Sequence, residues 1–296
     1  MRRWIVPVLS LSFGVLVCSV CWAATSIDHG QALAGYLFAK MRGGYTLKKR
    51  VSVLAPAVEA RLRPAFKAAG LPYPPKEVVY LAFKDARRIE VYARADSFSP
   101  WKHVKDYPVL GLSGGLGPKL KEGDNQVPEG IYRAEYLNPN GRFHVSIRLN
   151  YPNELDRRQA NIDGRTRLGG DIMVHGTSSS TGCLAVGNQA AEDLFVLAGL
   201  VSKEHVRIVV SPTDFRTQGM PSNEGQPAWV TSLWDGIRRE LAVYPKEPVS
   251  NVQVAQESYA SKKAYVQNVD FKEPQKWNST PSPYLHYSLQ ASSPGK

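Results

Sequence analysis

The chain has 296 residues, 43% of them hydrophobic and 21% charged, with a formal net charge of +11. That is the composition of a globular protein with length for a sizeable core. It excludes a multi-span membrane protein, because the one long apolar run lies at the very start.

Met1, Arg2 and Arg3 form a positive head, Trp4 to Trp22 carries no charge, and small residues follow at Ala23 and Ala24. This is the pattern of a secretory signal peptide over residues 1–23, cleaved after Ala23. An uncleaved membrane anchor is the alternative, since about 20 apolar residues span a bilayer, but Pro7 and Gly14 interrupt the run. Either way the rest of the chain is exported. Of the three cysteines, Cys18 and Cys21 lie in the leader and each follows a valine, which argues against lipidation. Removal of the leader leaves Cys183 alone, so no intramolecular disulfide and no CxxC metal pair can form. Loss of Arg2 and Arg3 lowers the charge from +11 to +9. A basic exported protein suits an anionic partner, cell-wall polymer or an anionic membrane surface, although solubility alone accounts for the charge equally well. Nucleic acid is disfavoured by the compartment.

Residues 24–75 read as an N-terminal helical extension, with a short helix from Gly30 to Arg42. A second runs from Pro56 to Ala69, where Pro56 suits a helix start and Val58, Leu62 and Phe66 share one face. The proline-rich segment from Leu71 to Pro75 is a stiff connector. From Val78 the texture becomes β-rich. Val78–Phe83 and Arg88–Ala93 flank a turn at Lys84-Asp85-Ala86, and Tyr107–Leu112 is a further strand. Ile131–Tyr136 and Phe143–Leu149 flank the turn signal Asn138-Pro139-Asn140-Gly141. Asp171–His175 is a short strand ending in an imidazole, Asn188 caps a helix to about Val201, and Val206–Ser211 is the last clear strand. Residues 76–212 are therefore expected to form one β-rich α+β domain, a sandwich or barrel with a helix after Cys183. Residues 213–296 form a C-terminal extension with an amphipathic helix over Trp229–Val243 and a disordered end.

The chemistry concentrates in Met173-Val174-His175-Gly176-Thr177-Ser178-Ser179-Ser180-Thr181-Gly182-Cys183. A strand delivers an imidazole, small polar residues turn the chain, and a thiol follows a glycine. A thiol is mostly protonated at neutral pH and needs a base. His175 is the candidate to take its proton and hold the ion pair, which would shift the alkylation profile of Cys183 to lower pH. Gly182 allows close backbone approach, and the amides around Gly182 and Cys183 are candidate donors to an oxyanion. The plain alternative is an inert buried cysteine beside a satisfied core histidine.

This segment resembles the active-site loop of the YkuD-type L,D-transpeptidases, with an upstream His-Gly and a downstream Ser-x-Gly-Cys, here Ser180-Thr181-Gly182-Cys183. A second block agrees: Ser113-Gly114-Gly115-Leu116-Gly117-Pro118-Lys119, then Glu122-Gly123-Asp124 and Pro128-Glu129-Gly130-Ile131-Tyr132. Tyr151-Pro152-Asn153 with Asp156 also fits. The resemblance covers roughly residues 78–212 and is nearest to the YafK branch. Two departures stand out. Thr181 occupies the place of a second histidine found in many members, and Ala185 that of an arginine.

The resemblance implies a YkuD-like catalytic domain acting on peptidoglycan in the periplasm or cell envelope, without cofactor or metal. Cys183 is the nucleophile and His175 the general base and acid. Gly176 orients His175 through its carbonyl, and Gly182 lends an oxyanion-hole amide. Ser180, Thr181, Gly115, Asp124 and Glu129 are the substrate-binding candidates. The acceptor of the acyl group is a stem amine, a lysine of a wall-attached lipoprotein, or water; water would make the protein a hydrolase. The rivals from other classes are a papain-type protease, which has its cysteine before its histidine, a zinc site of His144, His175 and Cys183 without any close ligand pair, and a non-catalytic cell-wall binding module.

Overall fold

The computed structural model describes residues 27, 29–37, 40–41 and 43–246. The expected leader and the expected disordered end lie outside them. Among the described residues no helix is long and apolar enough to cross a membrane.

The core element is a nine-stranded mixed sheet in the order β3-β2-β1-β9-β5-β6-β7-β8-β4, curled into a half-barrel. Its strands are β1 (Glu77–Phe83), β2 (Arg88–Arg94), β3 (Lys102–Pro108), β4 (Gly111–Leu112), β5 (Gly130–Gly141), β6 (His144–Leu149), β7 (Met173–His175), β8 (Leu184–Ala185) and β9 (Val206–Ser211). β1 lies parallel to β9, and β7 parallel to β8; the other neighbours are antiparallel. The bend falls on β5, whose start pairs with β9 and whose remainder pairs with β6 through two register shifts. Such irregularities let a strand change direction between two halves of a sheet.

The apolar run of β1 reflects burial on both faces. Val78, Tyr80 and Ala82 face a core with helices α2 (Leu47–Ala68) and α4 (Asn188–Val201), while Val79, Leu81 and Phe83 face a second core. That second core is closed by Phe215 and by Val230, Leu233, Trp234 and Ile237 of α5 (Val230–Leu241). Residues 213–244 thus cover one face of the sheet.

Helix α1 occupies residues 29–37. Helix α2 starts well before Pro56: Thr46 caps it by accepting the Lys49 amide at 3.2 Å, and Pro56 and Pro64 lie inside on the exposed side. On that side water can serve the carbonyls that the prolines leave without a donor. The buried face of α2 (Val51, Val58, Leu62, Phe66) meets α4 so closely that a Cβ on Gly199 would sit 2.7 Å from Val51. Arg61 on α2 reaches the buried carboxylate of Asp193 on α4 at 2.6 Å. The sequence reading had no counterpart for α3 (Glu154–Ile162), fixed by a reciprocal capping box between Asn153 and Asp156. Asn188 does not cap α4. Gly187, at φ 81°, occupies the cap position, and the Asn188 side chain is used elsewhere.

Candidate active site

His175 ends β7, the third strand from one edge of the sheet, with Ser146 of β6 as one neighbour in register and Ala185 of β8 as the other. Its Nδ1 lies 2.6 Å from the Gly176 carbonyl oxygen. A carbonyl only accepts, so Nδ1 carries the proton and Nε2 keeps the lone pair a base requires. The ring is buried, and the Phe143 ring lies against it at 5.0 Å between centroids. Burial lowers the basicity of His175; the Gly176 hydrogen bond works the other way, and His29 adds to the lowering.

After Gly176 the backbone turns sharply. Thr177 sits in the left-handed region at φ 61°, where a β-branched residue is rare, and its amide donates to Asn188 Oδ1 at 3.0 Å. The loop then passes Gly182, at φ 109°, and delivers Cys183 to the start of β8. The thiol is half-buried and donates to the Asp171 carbonyl at 3.6 Å. Burial pushes the Cys183 thiol up; the Met173 amide opposes this, the Asp171 carboxylate reinforces it, and the Lys119 ammonium opposes it. Burial thus shifts both groups towards their neutral forms, thiol and imidazole, the opposite direction to an ion pair.

Cys183 and His175 line one cleft of about 500 Å³, together with Thr181, Lys119, Arg142, Phe143, Ser146 and Asp171 among others. Of the residues expected to bind substrate, Thr181 alone lines it. Ser180 instead holds the Cys183 backbone: its Oγ accepts from the Cys183 amide at 3.0 Å and donates to the Cys183 carbonyl at 2.6 Å. Gly115 is tied on both sides to the Gln126 side chain, away from the cleft. Asp124 is folded into its own loop, where it meets Lys119 at 2.5 Å and accepts the amides of Leu120, Lys121 and Gln126. Glu129 is buried, between Lys84 at 3.0 Å and the Trp234 indole N–H at 2.7 Å. It is a core ion pair out of substrate reach.

The expected oxyanion donor also needs correction. The Gly182 amide donates to Ser113 Oγ at 2.6 Å, and the Cys183 amide is held by Ser180, so both are engaged within the loop. Ser113 and Ser180 are themselves anchored to the carbonyls of Asn125 and Cys183.

Several cleft residues were not found from the sequence. Lys119 lies inside the glycine-rich block. Arg142 and Phe143 follow the turn over residues 138–141 at the tip of the β5–β6 hairpin, and the pairing of β6 with β7 sets Phe143 beside His175. Ser146 lines the cleft, and among the described residues its buried hydroxyl has no hydrogen-bond partner. From the other side, His29 of α1 reaches Ser179 of the loop between His175 and Cys183, Nε2 to Oγ 2.8 Å.

The model of the YkuD L,D-transpeptidase catalytic domain matches residues 82–237, just over half of the chain. YafK of Escherichia coli strain K12, provisionally named an L,D-transpeptidase, is 32% identical over 115 residues, covering 38% of this chain and 44% of that protein. The chain thus spans less than half the length of the curated relative it matches. Among solved structures, the helical cell shape determining protein Pgp2 from Campylobacter jejuni is 24% identical with a TM-score of 0.37, covering 46% of this chain and 48% of that one. L,D-transpeptidase 1 of Mycobacterium tuberculosis is 14% identical with a TM-score of 0.27, covering 45% of this chain and 61% of that one.

Proposed function

Since the chain belongs to the YkuD family of L,D-transpeptidase catalytic domains, we propose that it is an exported cysteine acyltransferase working on peptidoglycan stem peptides, with Cys183 as nucleophile and His175 as base. The observation that carries this reading is the shared cleft: a thiol and an imidazole, the latter with Nδ1–H anchored on Gly176 and, among the described residues, Nε2 without a hydrogen-bond partner.

Cys183 Sγ attacks the carbonyl of an L-centred diamino acid in the stem. The C–S bond forms as Nε2 of His175 takes the thiol proton. With burial shifting both groups towards their neutral forms, this transfer accompanies the attack. The residue beyond, which closes a tetrapeptide stem with a free carboxylate, leaves as an amine and takes the proton back from His175. The thioester then passes to an acceptor whose N–H or O–H proton returns through His175 to the sulfur. For the amide of Gly182 or Cys183 to stabilise the oxyanion, Ser113 or Ser180 must give it up.

An amine acceptor gives a stem cross-link or attachment of a lipoprotein lysine; water gives hydrolysis, with release of stem residues or of wall-bound lipoprotein. The hydrolytic reading draws support from Ala185. It stands where many members carry an arginine and is fully buried in β8, so it offers no charged group for positioning an acceptor stem.

The test is mass spectrometry of products from tetrapeptide-stem muropeptides and lipoprotein-bearing sacculi, with the protein and with Cys183→Ala, in isotopically labelled water. Cys183-dependent cross-links establish transfer to an amine. Label at the released carboxyl establishes hydrolysis. Loss of every Cys183-dependent product sinks the enzymatic reading in favour of a cell-wall binding module.

A further inference from the structure

The charged side chains that line the cleft are not equivalent. Lys119 is neutralised by Asp124, Glu122 by Arg167, and Asp171 by Arg148. Arg142 lines the same cleft, exposed, with no carboxylate among its described contacts; its guanidinium lies over the Phe143 ring, 5.9 Å from the centroid. The other face of this arrangement is catalytic, because Phe143 lies against His175 at 5.0 Å. The two ring contacts keep the guanidinium within about 11 Å of the imidazole.

We infer that Arg142 binds the terminal carboxylate of the stem residue that leaves on acylation. This rests on the acyl-transfer reading above and specifies the donor. His175 has to hand a proton to the leaving amine, and on a terminal amino acid the carboxylate is one carbon away from that amine. The anion therefore lies on the His175 side of the scissile bond, the side on which Phe143 and Arg142 stand. A guanidinium binds a carboxylate through two parallel N–H donors. Here it also lacks a competing acid, which would have to be displaced first. Arg142 and His175 share the Phe143 ring as a neighbour, so holding the carboxylate also holds the leaving amine towards Nε2 of His175.

Two donors that differ in one group test this: a tetrapeptide stem with its free terminal carboxylate, and the same stem closed as a carboxamide. Cys183-dependent release of the terminal residue is measured for the full chain, for Arg142→Ala and for Arg142→Lys. The unmodified protein should prefer the carboxylate by roughly 10- to 100-fold in kcat/KM, the range of a charge-assisted hydrogen bond. Arg142→Ala should lose that factor on the carboxylate donor, change little on the carboxamide and cease to discriminate. Arg142→Lys should recover part of the preference. An equal loss on both donors would assign Arg142 a different role, and an unmodified protein blind to the carboxylate would refute the inference outright. Absence of any Cys183-dependent release from either donor would instead bring down the acyl-transfer reading and this inference with it. Arg142 is exposed at a hairpin tip, so its removal leaves the core intact.

Discussion

Asn188 Oδ1 fills the space in which a side chain on Gly176 would begin: a Cβ built there would lie 2.5 Å from that oxygen, and 2.8 Å from the Phe143 carbonyl. The same oxygen accepts the Thr177 amide. The first residue of the helix after Cys183 thus fixes the turn after His175, and that turn supplies the carbonyl on which His175 is oriented. Gly176→Ala is expected to push this turn and His175 out of position, lowering kcat by about 100-fold, as a misplacement of about 1 Å can. The overpacking should cost about 1–3 kcal/mol of stability. Steady-state kinetics and thermal denaturation on one preparation check both. Unchanged kcat would show that the crowding of this turn does not set the position of His175.

The pH dependence follows from two shifts of opposite sign. Burial raises the Cys183 thiol and lowers the His175 imidazole. His175 must be neutral to accept a proton, so activity should persist as pH falls through the ordinary imidazole range and be lost only below it. Alkylation of Cys183 by iodoacetamide, followed by peptide mapping because Cys18 and Cys21 also react if the leader is retained, should have its midpoint above that of a free thiol. This reverses the direction expected from the sequence. A midpoint below the free thiol would mean that the ion pair exists at rest.

The meeting of Cys183 and His175 in one cleft was legible in the sequence because few other residues offered that chemistry: one cysteine outside the expected leader, and a His-Gly upstream of it. The long strands were legible too, since β1 and β9 are apolar runs that few other structures accommodate. What stayed hidden has physical causes. Helix α3 buries only Ala160, so apolar periodicity is silent there and the capping box was its one signal. Pro56 looked like a helix start because the true start, at Thr46, is followed by lysines rather than by an apolar stripe. Glu129 and Asp124 illustrate a deeper limit. A loop acid looks the same in sequence whether it meets solvent, substrate or a buried cation. Only the convergence of Lys84 and Trp234 from distant elements shows that Glu129 is internal. Phe143 reaches His175 because β6 pairs with β7 in the register that sets Ser146 beside His175, and no residue spacing in the sequence encodes that pairing.

Asp124 offers the sharpest separation between a binding role and a structural one. Its carboxylate joins a nearly buried Lys119 and three backbone amides, and those bonds hold its pKa below the usual range against the opposing effect of burial. Asp124→Ala leaves Lys119 without its counter-ion at the cleft wall, which should cost about 3 kcal/mol. Because the folded-state value is depressed, the stabilisation is fully present above the ordinary carboxylate range and fades as pH falls through the lower folded-state value. Urea denaturation across pH should therefore show the protein and the variant far apart at neutral pH and converging in acid. A residue that bound the stem's amine would behave differently, raising KM while leaving the denaturation midpoint where it was. That second pattern would return Asp124 to the substrate site.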